Sequence, residues 1–245
     1  MRKVNVITQK ELVDSSSISS CTAVVVDVFL ATSTIAYLLE NNYEPVYAVK
    51  DAKKALEAVK QQQGHFLLLG ETNGELIEGF LYPDPSLIKP SEQEQAAIIC
   101  STNGTIGIEN AKQAKVLYTS SLINGHRIAE VIDSQTDDSS IIIVCSGNAG
   151  RFSMEDFVGA GHLIDKLVRV GIYELSDSAK LARDAFQHAK SKSFNNLLDS
   201  ETSHLLRDTG FENSIQWTID HFEKVNAVPV FKRDKLINDF RKESF

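Results

Sequence analysis

The chain has 245 residues, of which 42% are hydrophobic and 24% are charged, and this balance excludes wholesale disorder. With 25 Lys and Arg against 33 Asp and Glu, the formal net charge of −8 argues against a broad surface for nucleic acid or for an anionic membrane. A chain of this length forms one large α/β domain or two small ones, and it needs neither a disulfide nor a metal to fold.

The cysteine pattern indicates a reducing compartment. Cys21, Cys100 and Cys145 are odd in number and lie in or beside apolar runs, which argues against a disulfide framework. The basic start of the chain leads into no long apolar segment, and the sequence has no run of about 20 apolar residues. We therefore expect a cytoplasmic protein without a membrane segment.

Short apolar runs alternate with amphipathic segments over the first 170 residues. The apolar runs predict buried β-strands, and the amphipathic segments predict helices. The predicted elements are strand 23–29, helix 32–40, strand 45–49, helix 51–63, strand 66–69, strand 96–100, helix 106–112, strand 116–119, helix 125–132, strand 141–145 and helix 154–170. This repetition predicts an α/β fold of three layers, α/β/α, around a mostly parallel or mixed sheet.

Residues 70–94 interrupt the alternation, because their three glycines and three prolines predict a long loop or flap. The chain turns polar after residue 176. It then contains predicted helices 177–190, 200–208 and 212–224 and a predicted strand 228–231, which its proline places at a sheet edge.

We interpret residues 1–245 as a single domain with a core over 1–170 and a helical C-terminal part over 171–245. The C-terminal helices either pack on that core or form the subunit interface of a homo-oligomer. The sequence contains no repeat at solenoid spacing and no low-complexity tract.

Polar side chains collect just after four predicted strands, where open α/β sheets bind their ligands. Asp27 lies late in the first strand, and the hydroxyls of Ser33 and Thr34 lie at the start of the next helix. A buried carboxylate is costly unless it is paired or bound to a metal, and hydroxyls at a helix start either cap the helix or donate to an anion. The segment indicates a capped turn or an anion and metal site.

Glu71 directly follows strand 66–69, between glycines that allow close approach of the backbone to a ligand. The loop after strand 96–100 contains Thr102, Asn103, Gly104 and Thr105. Hydroxyl, amide and backbone N–H groups in such a loop form a nest for a phosphate or carboxylate, and without a lysine it is not a Walker A loop. Plain turns are the simpler alternative at both places.

The fourth junction begins at Cys145 and leads into a helix whose first turn holds Glu155 and Asp156. Acidic residues there suit the helix dipole, and Ser153 is placed to cap the helix. The sharper interpretation is that one of these carboxylates and Asp27 hold a single divalent cation. Hard cations such as Mg²⁺ take a few carboxylates together with water and substrate oxygens.

The same junction has a competing interpretation. Cys145 and Arg151 are separated by five residues, which is the spacing of the phosphatase loop in which a thiolate attacks phosphorus and an arginine binds the phosphate. Val144 stands where that family usually has a histidine, and a buried free cysteine is often only a small hydrophobe. A haloacid-dehalogenase phosphatase ranks lower, because Phe29 stands where its second aspartate is needed.

Taken in order along the chain, the motifs resemble those of one family. They are the runs 25–28, 31–35, 70–71, 79–80, 102–105, 121–124, 147–156, 160–161, 210–212 and 228–230. The family is 2-phosphosulfolactate phosphatase, and the resemblance spans residues 23–232. It implies a cytosolic, Mg²⁺-dependent phosphatase that hydrolyses a small anionic phosphate monoester, 2-phospho-3-sulfolactate.

The resemblance and the junctions together give the candidate site. The catalytic candidates are Asp27, Glu71, Asn103 and Asp156. The metal ligands are Asp27, Glu155 and Asp156. The substrate-binding candidates are Ser33, Thr34, Thr102, Gly104, Thr105, Asn124 and Arg151. A metal-bound water is the default nucleophile.

Two departures from the family pattern keep a third interpretation open. Leu30 stands where the family usually has an arginine, which would be a natural partner for phosphate or sulfonate. Residues 81–86 replace a run that usually contains Asp-x-Gly-Asn-Ser-Pro. A member with these changes is either a phosphatase or a non-catalytic protein that binds an anion.

Overall fold

The apolar runs assemble into one sheet covered by helices on both faces. The computed structural model describes residues 1–61 and 65–239. Its strands are β1 (Arg2–Ile7), β2 (Thr22–Val26), β3 (Val46–Val49), β4 (Phe66–Thr72), β5 (Glu75–Leu76), β6 (Ala96–Cys100), β7 (Val116–Ser120), β8 (Ile141–Cys145), β9 (Tyr173–Leu175), β10 (Pro229–Lys232) and β11 (Lys235–Asn238). Its helices are α1 (Ser15–Ile18), α2 (Ala31–Glu40), α3 (Ala52–Gln61), α4 (Gly104–Ala111), α5 (Gly125–Ser134), α6 (Met154–Val170), α7 (Asp177–Ser191), α8 (Glu201–Asp208) and α9 (Glu212–Asp220).

The strand order is β5-β4-β6-β3-β11-β10-β7-β2-β8-β1-β9. Two groups of strands are parallel, β4-β6-β3 on one side and β7-β2-β8-β1-β9 on the other. The antiparallel hairpin β10-β11 lies between them, and β5 is antiparallel to β4 at the edge. The mixed, mostly parallel sheet confirms the predicted fold class.

The continuous apolar run of β2 is buried on both faces of the sheet. Val24 and Val26 pack in the cluster that also contains residues of α5, α6 and α7. Ala23 and Val25 pack in the opposite cluster with residues of α2 and α4. Alternate residues of one strand therefore serve two hydrophobic layers, as the side-chain period of a strand requires.

The sheet curves around α2. Five strand spacings separate β6 from β2 in the sheet order, which would be about 24 Å in a flat sheet. Nevertheless α2, which directly follows β2, contacts β7, β10, β11, β3 and β6. A Cβ at Gly104, just after β6, would lie 2.6 Å from the Asp27 carboxylate at the end of β2. The curvature thus brings the carboxyl ends of distant strands together.

The prediction that strand 228–231 lies at a sheet edge is wrong. β10 is an interior strand with hydrogen-bonded neighbours on both sides. Pro229 is its first residue, and a proline is tolerated at that position of a strand.

The predicted loop 70–94 has more structure than expected. β4 continues to Thr72 and pairs with β5, and Pro85–Leu87 form a short 3-10 helix. The carboxylate of Asp84 accepts a hydrogen bond from Ser214 of α9, and the ring of Tyr82 stacks on Phe211 with centroids 3.5 Å apart. The C-terminal region therefore fixes this flap.

The further differences from the prediction are strands near the two ends of the chain. β1, β9 and β11 were not predicted, and residues 171–239 supply three strands to the sheet. Residues 62 and 63 of the predicted helix 51–63 and residues 240–245 of the predicted domain lie outside the described residues.

In the described part of the chain, none of the helices is sufficiently long and apolar to cross a membrane.

The contact between α6 and α7 gives a test of the packing. A Cβ at Gly161 would lie 1.9 Å from the backbone oxygen of Ala182. Gly161→Ala should destabilise the protein by about 2 kcal/mol or more, because the atom it adds meets rigid backbone. Urea unfolding measures this change, and Lys180→Ala on the exposed face of α7 is the control, with an expected change within about 0.5 kcal/mol. Equal stability of the two variants would contradict the packing of these helices.

Candidate active site

A cavity of about 200 Å³ lies where β2, β4, β6 and β8 end. Five of the predicted site residues line it, and these are Asp27, Glu71, Thr102, Asn103 and Arg151. The other predicted residues do not line it, and these are Ser33, Thr34, Gly104, Thr105, Asn124, Glu155 and Asp156. Most residues of this second group have a structural role instead, because they bond to the backbone or occupy a closely packed position.

The turn that follows β2 presents Asp27 to the cavity. The Ser33 hydroxyl donates to the backbone oxygen of Val28 at 2.9 Å. The Thr34 hydroxyl lies 3.0 Å from the backbone oxygen of Leu30 and 2.6 Å from that of Pro83. Both hydroxyls are fully buried and hold the backbone around the cavity, so they face away from a ligand.

Asp27 is a buried carboxylate with an unusual environment. Burial raises its pKa to about 7, and the negative charges of Glu71 and Glu155 act in the same direction. The backbone N–H of Ala31 and the charge of Lys10 oppose this shift. Burial and neighbouring acids are the combination that often marks a functional carboxylate.

Glu71 fixes the loop after β6 against the end of β4. Its carboxylate accepts hydrogen bonds from the backbone N–H of Thr102, from the Thr102 hydroxyl at 2.9 Å and from the backbone N–H of Gly74 at 2.8 Å. The Thr102 hydroxyl also accepts from the N–H of Asn73. Glu71 and Thr102 therefore form a rigid part of the cavity wall.

Asn103 is the amide of this wall, and its Oδ1 accepts from Lys10 Nζ at 3.0 Å and from the N–H of Ala149 at 3.1 Å. Gly104 is required by close approach, because a Cβ there would meet both Asp27 and Ala31. Thr105 is buried and bonds back to Ser101, so its hydroxyl closes the turn.

Asp156 connects two strand ends from the first turn of α6. Its Oδ1 accepts from the N–H of Val28 at 2.9 Å, and its Oδ2 accepts from the N–H of Gly147 at 3.0 Å. Ser153 caps the helix, as predicted, by accepting from the N–H of Asp156. Burial, followed by the charges of Asp27 and Glu155, raises the pKa of Asp156.

Asn124 and Arg151 lie at opposite extremes of exposure. Asn124 is fully buried before α5, where its side chain bonds to the N–H of Ser121 and the backbone oxygen of Ala227. The Arg151 side chain is 63% exposed at the cavity and lies 3.3 Å from Glu201. Arg151 can therefore reach a ligand, whereas Asn124 holds two parts of the backbone together.

Several cavity residues were not predicted from the sequence. Thr202, Leu205 and Leu206 come from α8, and Tyr82 and Pro83 come from the flap. No motif marks the three residues of α8, because they reach the cavity only through the packing of the C-terminal helices, and Tyr82 and Pro83 lie in the run 81–86 that departs from the family pattern. Asn148 belongs to the motif run 147–156, and its amide donates to Thr202 at 3.3 Å.

The carboxylates present suit a hard divalent cation. Asp27 Oδ2 accepts no hydrogen bond from the described residues, and Glu155 Oε2 is buried without a partner among them. The described part of the chain contains no group of three or more His, Cys, Asp or Glu side chains arranged to hold a metal. Mg²⁺ needs no such group, since it is commonly held by one or two carboxylates, waters and substrate phosphate. Asp27 fits this role at the cavity. The charge of Glu155 acts on Asp27, but Glu155 does not line the cavity, and both oxygens of Asp156 already accept backbone N–H groups.

Cys145 lies at the end of β8, has no exposed surface and does not line the cavity. Burial raises its pKa well above the usual value for a thiol, and the charges of Asp156 and Glu155 add to the effect. A reactive cysteine instead needs an electropositive and partly exposed environment.

Comparison with known proteins gives one consistent result. The family model described as 2-phosphosulpholactate phosphatase matches residues 7–234. A protein of Clostridium novyi named "Probable 2-phosphosulfolactate phosphatase" is 30% identical over 96% of this chain and 99% of its own length. A protein of the same name from Thermotoga maritima is 34% identical over 87% of this chain and 91% of its own length.

The burial of the cysteines predicts slow thiol chemistry. Cys21, Cys100 and Cys145 are free and buried. The native protein should therefore show almost no reaction with a thiol reagent such as DTNB over minutes, and all three thiols should react in urea. A native thiol that reacts at once, and that Cys145→Ser abolishes, would instead support the thiolate interpretation.

Proposed function

The chain belongs to the 2-phosphosulpholactate phosphatase family, and from this membership we propose that it hydrolyses 2-phosphosulfolactate or a related small phospho-hydroxy acid with the help of Mg²⁺. The observation that carries the proposal is the joint placement of Asp27, Glu71 and Asn103 around one cavity. These residues come from three separate strand ends that the family match spans.

The proposed reaction is the hydrolysis of a phosphate monoester. The oxygen of a water molecule forms a bond to phosphorus, and the bond between phosphorus and the ester oxygen breaks. The products are inorganic phosphate and a hydroxy acid, and the ester oxygen leaves with a proton. When bound, Mg²⁺ would neutralise phosphoryl charge and polarise an oxygen in this reaction.

The side chains of this chain would bind and orient the substrate. Asn103 offers its Nδ2 group to phosphoryl oxygens, since its Oδ1 is already occupied. Arg151 would bind the acidic end of the substrate after leaving the exposed contact with Glu201. Asp27 and Glu155 would hold the cation.

The buried Cys145 makes the thiolate alternative the weaker one, because its raised pKa and its place outside the cavity both oppose a nucleophilic role. The non-catalytic alternative depends on Leu30, which lines the cavity. A cytoplasmic location and a homo-oligomer stay predictions from the sequence.

Removal of the cation tests the proposal directly. Phosphate release from 2-phosphosulfolactate should need Mg²⁺, stop in EDTA and return when Mg²⁺ is added in excess. Asp27→Asn should lower turnover by about 100-fold or more, because it removes the negative charge of a ligand of the cation. The exposed Asp177→Asn is the matched control and should leave turnover unchanged.

The outcomes separate the three interpretations. Turnover in EDTA that Cys145→Ser abolishes would support the thiolate mechanism. Binding of 2-phosphosulfolactate without phosphate release, with or without Mg²⁺, would support the non-catalytic protein.

The exposed arginine gives a test of substrate preference. Arg151→Gln should raise the KM for 2-phosphosulfolactate by about 3- to 10-fold, because a partly solvated ion pair is lost. The KM for glycerol phosphate, which has no second acidic group, should change less. Arg169→Gln, an exposed arginine on α6, is the control. An equal rise in KM for both esters would place Arg151 at the phosphoryl group instead.

A further inference from the structure

Lys10 is a buried lysine whose function the site does not yet explain. It lies in the short 3-10 helix Lys10–Leu12 that follows β1, and it is 4% exposed. A buried ammonium group is costly unless all its hydrogens find acceptors. Lys10 Nζ has three acceptors, at 3.0 Å each: Oδ1 of Asn103, the backbone oxygen of Ser146 and the carboxylate of Glu11.

Two of these acceptors belong to the loops that form the cavity wall. Asn103 follows β6, and Ser146 follows β8. Lys10 does not line the cavity, so it contacts these loops from behind. The side chain of Asn110 donates to the backbone oxygen of Lys10 at 3.1 Å, which fixes the lysine against α4.

The contacts of Asn103 determine the direction of its amide. Both Lys10 Nζ and the N–H of Ala149 are donors, so the atom that faces them must be the carbonyl oxygen Oδ1. The Nδ2 group then points away from Lys10, and it has no hydrogen-bond partner within residues 1–61 and 65–239. Since Asn103 lines the cavity, Nδ2 is a free donor there.

We propose that Lys10 is a positioning residue that locks the Asn103 amide with Nδ2 toward the cavity, where it donates to a phosphoryl oxygen. The proposal rests on the proposed phosphatase function for the identity of the ligand. Without the lysine, Oδ1 loses its charged donor and keeps only the neutral N–H of Ala149, so the amide is held less firmly and a phosphoryl oxygen meets Nδ2 less of the time.

A double-mutant cycle tests whether Lys10 acts through Asn103. The readouts are the Kd of inorganic phosphate in the presence of Mg²⁺, by calorimetry, and the KM for 2-phosphosulfolactate. Lys10→Met and Asn103→Ala should each raise both constants by about 10-fold. In the Asn103→Ala background, Lys10→Met should add less than about 2-fold, because residues in one network are not additive.

Two controls isolate the contact. Glu11→Gln removes the ion pair and keeps the bonds from Lys10 to the loops, so it should leave both constants unchanged. The exposed Lys112→Met removes a lysine charge that pairs with Glu109 and takes no part in the buried network, so it should also have no effect. Urea unfolding of every variant shows whether the fold is retained.

Asn103→Asp keeps the proposal testable if Lys10→Met does not fold. The aspartate still offers an oxygen to Lys10, but it presents an oxygen instead of N–H to the phosphate. It should weaken phosphate binding more than Asn103→Ala does. Phosphate affinity equal to that of the wild type would overturn the proposal.

The outcomes for this proposal and for the phosphatase function are distinct. Multiplicative effects of Lys10→Met and Asn103→Ala, with turnover intact in the wild type, would overturn the role of Lys10 alone. Coupled effects on phosphate binding in a wild type that releases no phosphate would overturn the phosphatase function alone. A wild type that neither binds nor releases phosphate would overturn both.

Discussion

The hydroxyls of Thr32, Ser33 and Thr34 hold the turn on which the rest of the site depends. They bond to backbone oxygens at Asp27, Val28 and Leu30, and they are fully buried. Thr32 also bonds to the backbone oxygen of Ser120, and Thr34 to that of Pro83. The start of α2 is thereby joined to β7 and to the flap. Asp27 is fixed where the curvature of the sheet brings the carboxyl ends of distant strands together.

This fixed position has an electrostatic cost that a ligand can relieve. Burial and the charges of Glu71 and Glu155 raise the pKa of Asp27, because they disfavour its charged form. A cation bound to Asp27 and Glu155 would convert that repulsion into attraction for a phosphate. If the proposed cation binds there, the site would exchange stability of the free protein for affinity toward an anionic ligand.

The sequence predicted those features that local pattern determines. The strand–helix alternation gave the layers, and the polar residues after strands gave Asp27, Glu71, Thr102 and Asn103, because the carboxyl ends of strands are where such sheets bind ligands. The hydroxyls of Ser33 and Thr34 look the same in sequence whether they cap the backbone or bind an anion, and only the bonds of the fold distinguish these roles. Lys10 and Leu205 gave no signal, because long-range packing alone brings them to the site.

The charges of the residues around the cavity affect both the binding of a cation and the preference for a substrate. Among the described lining residues, Asp27 and Glu71 are acidic and Arg151 is the single Lys or Arg side chain. Without a cation, a doubly charged phosphate would meet a net repulsive cavity, so cation and substrate should bind together. Leu30 adds an apolar wall where the family usually has an arginine. Under the proposed function, recognition of a second acidic group would therefore depend on Arg151, whose exposed contact with Glu201 can be exchanged at little cost.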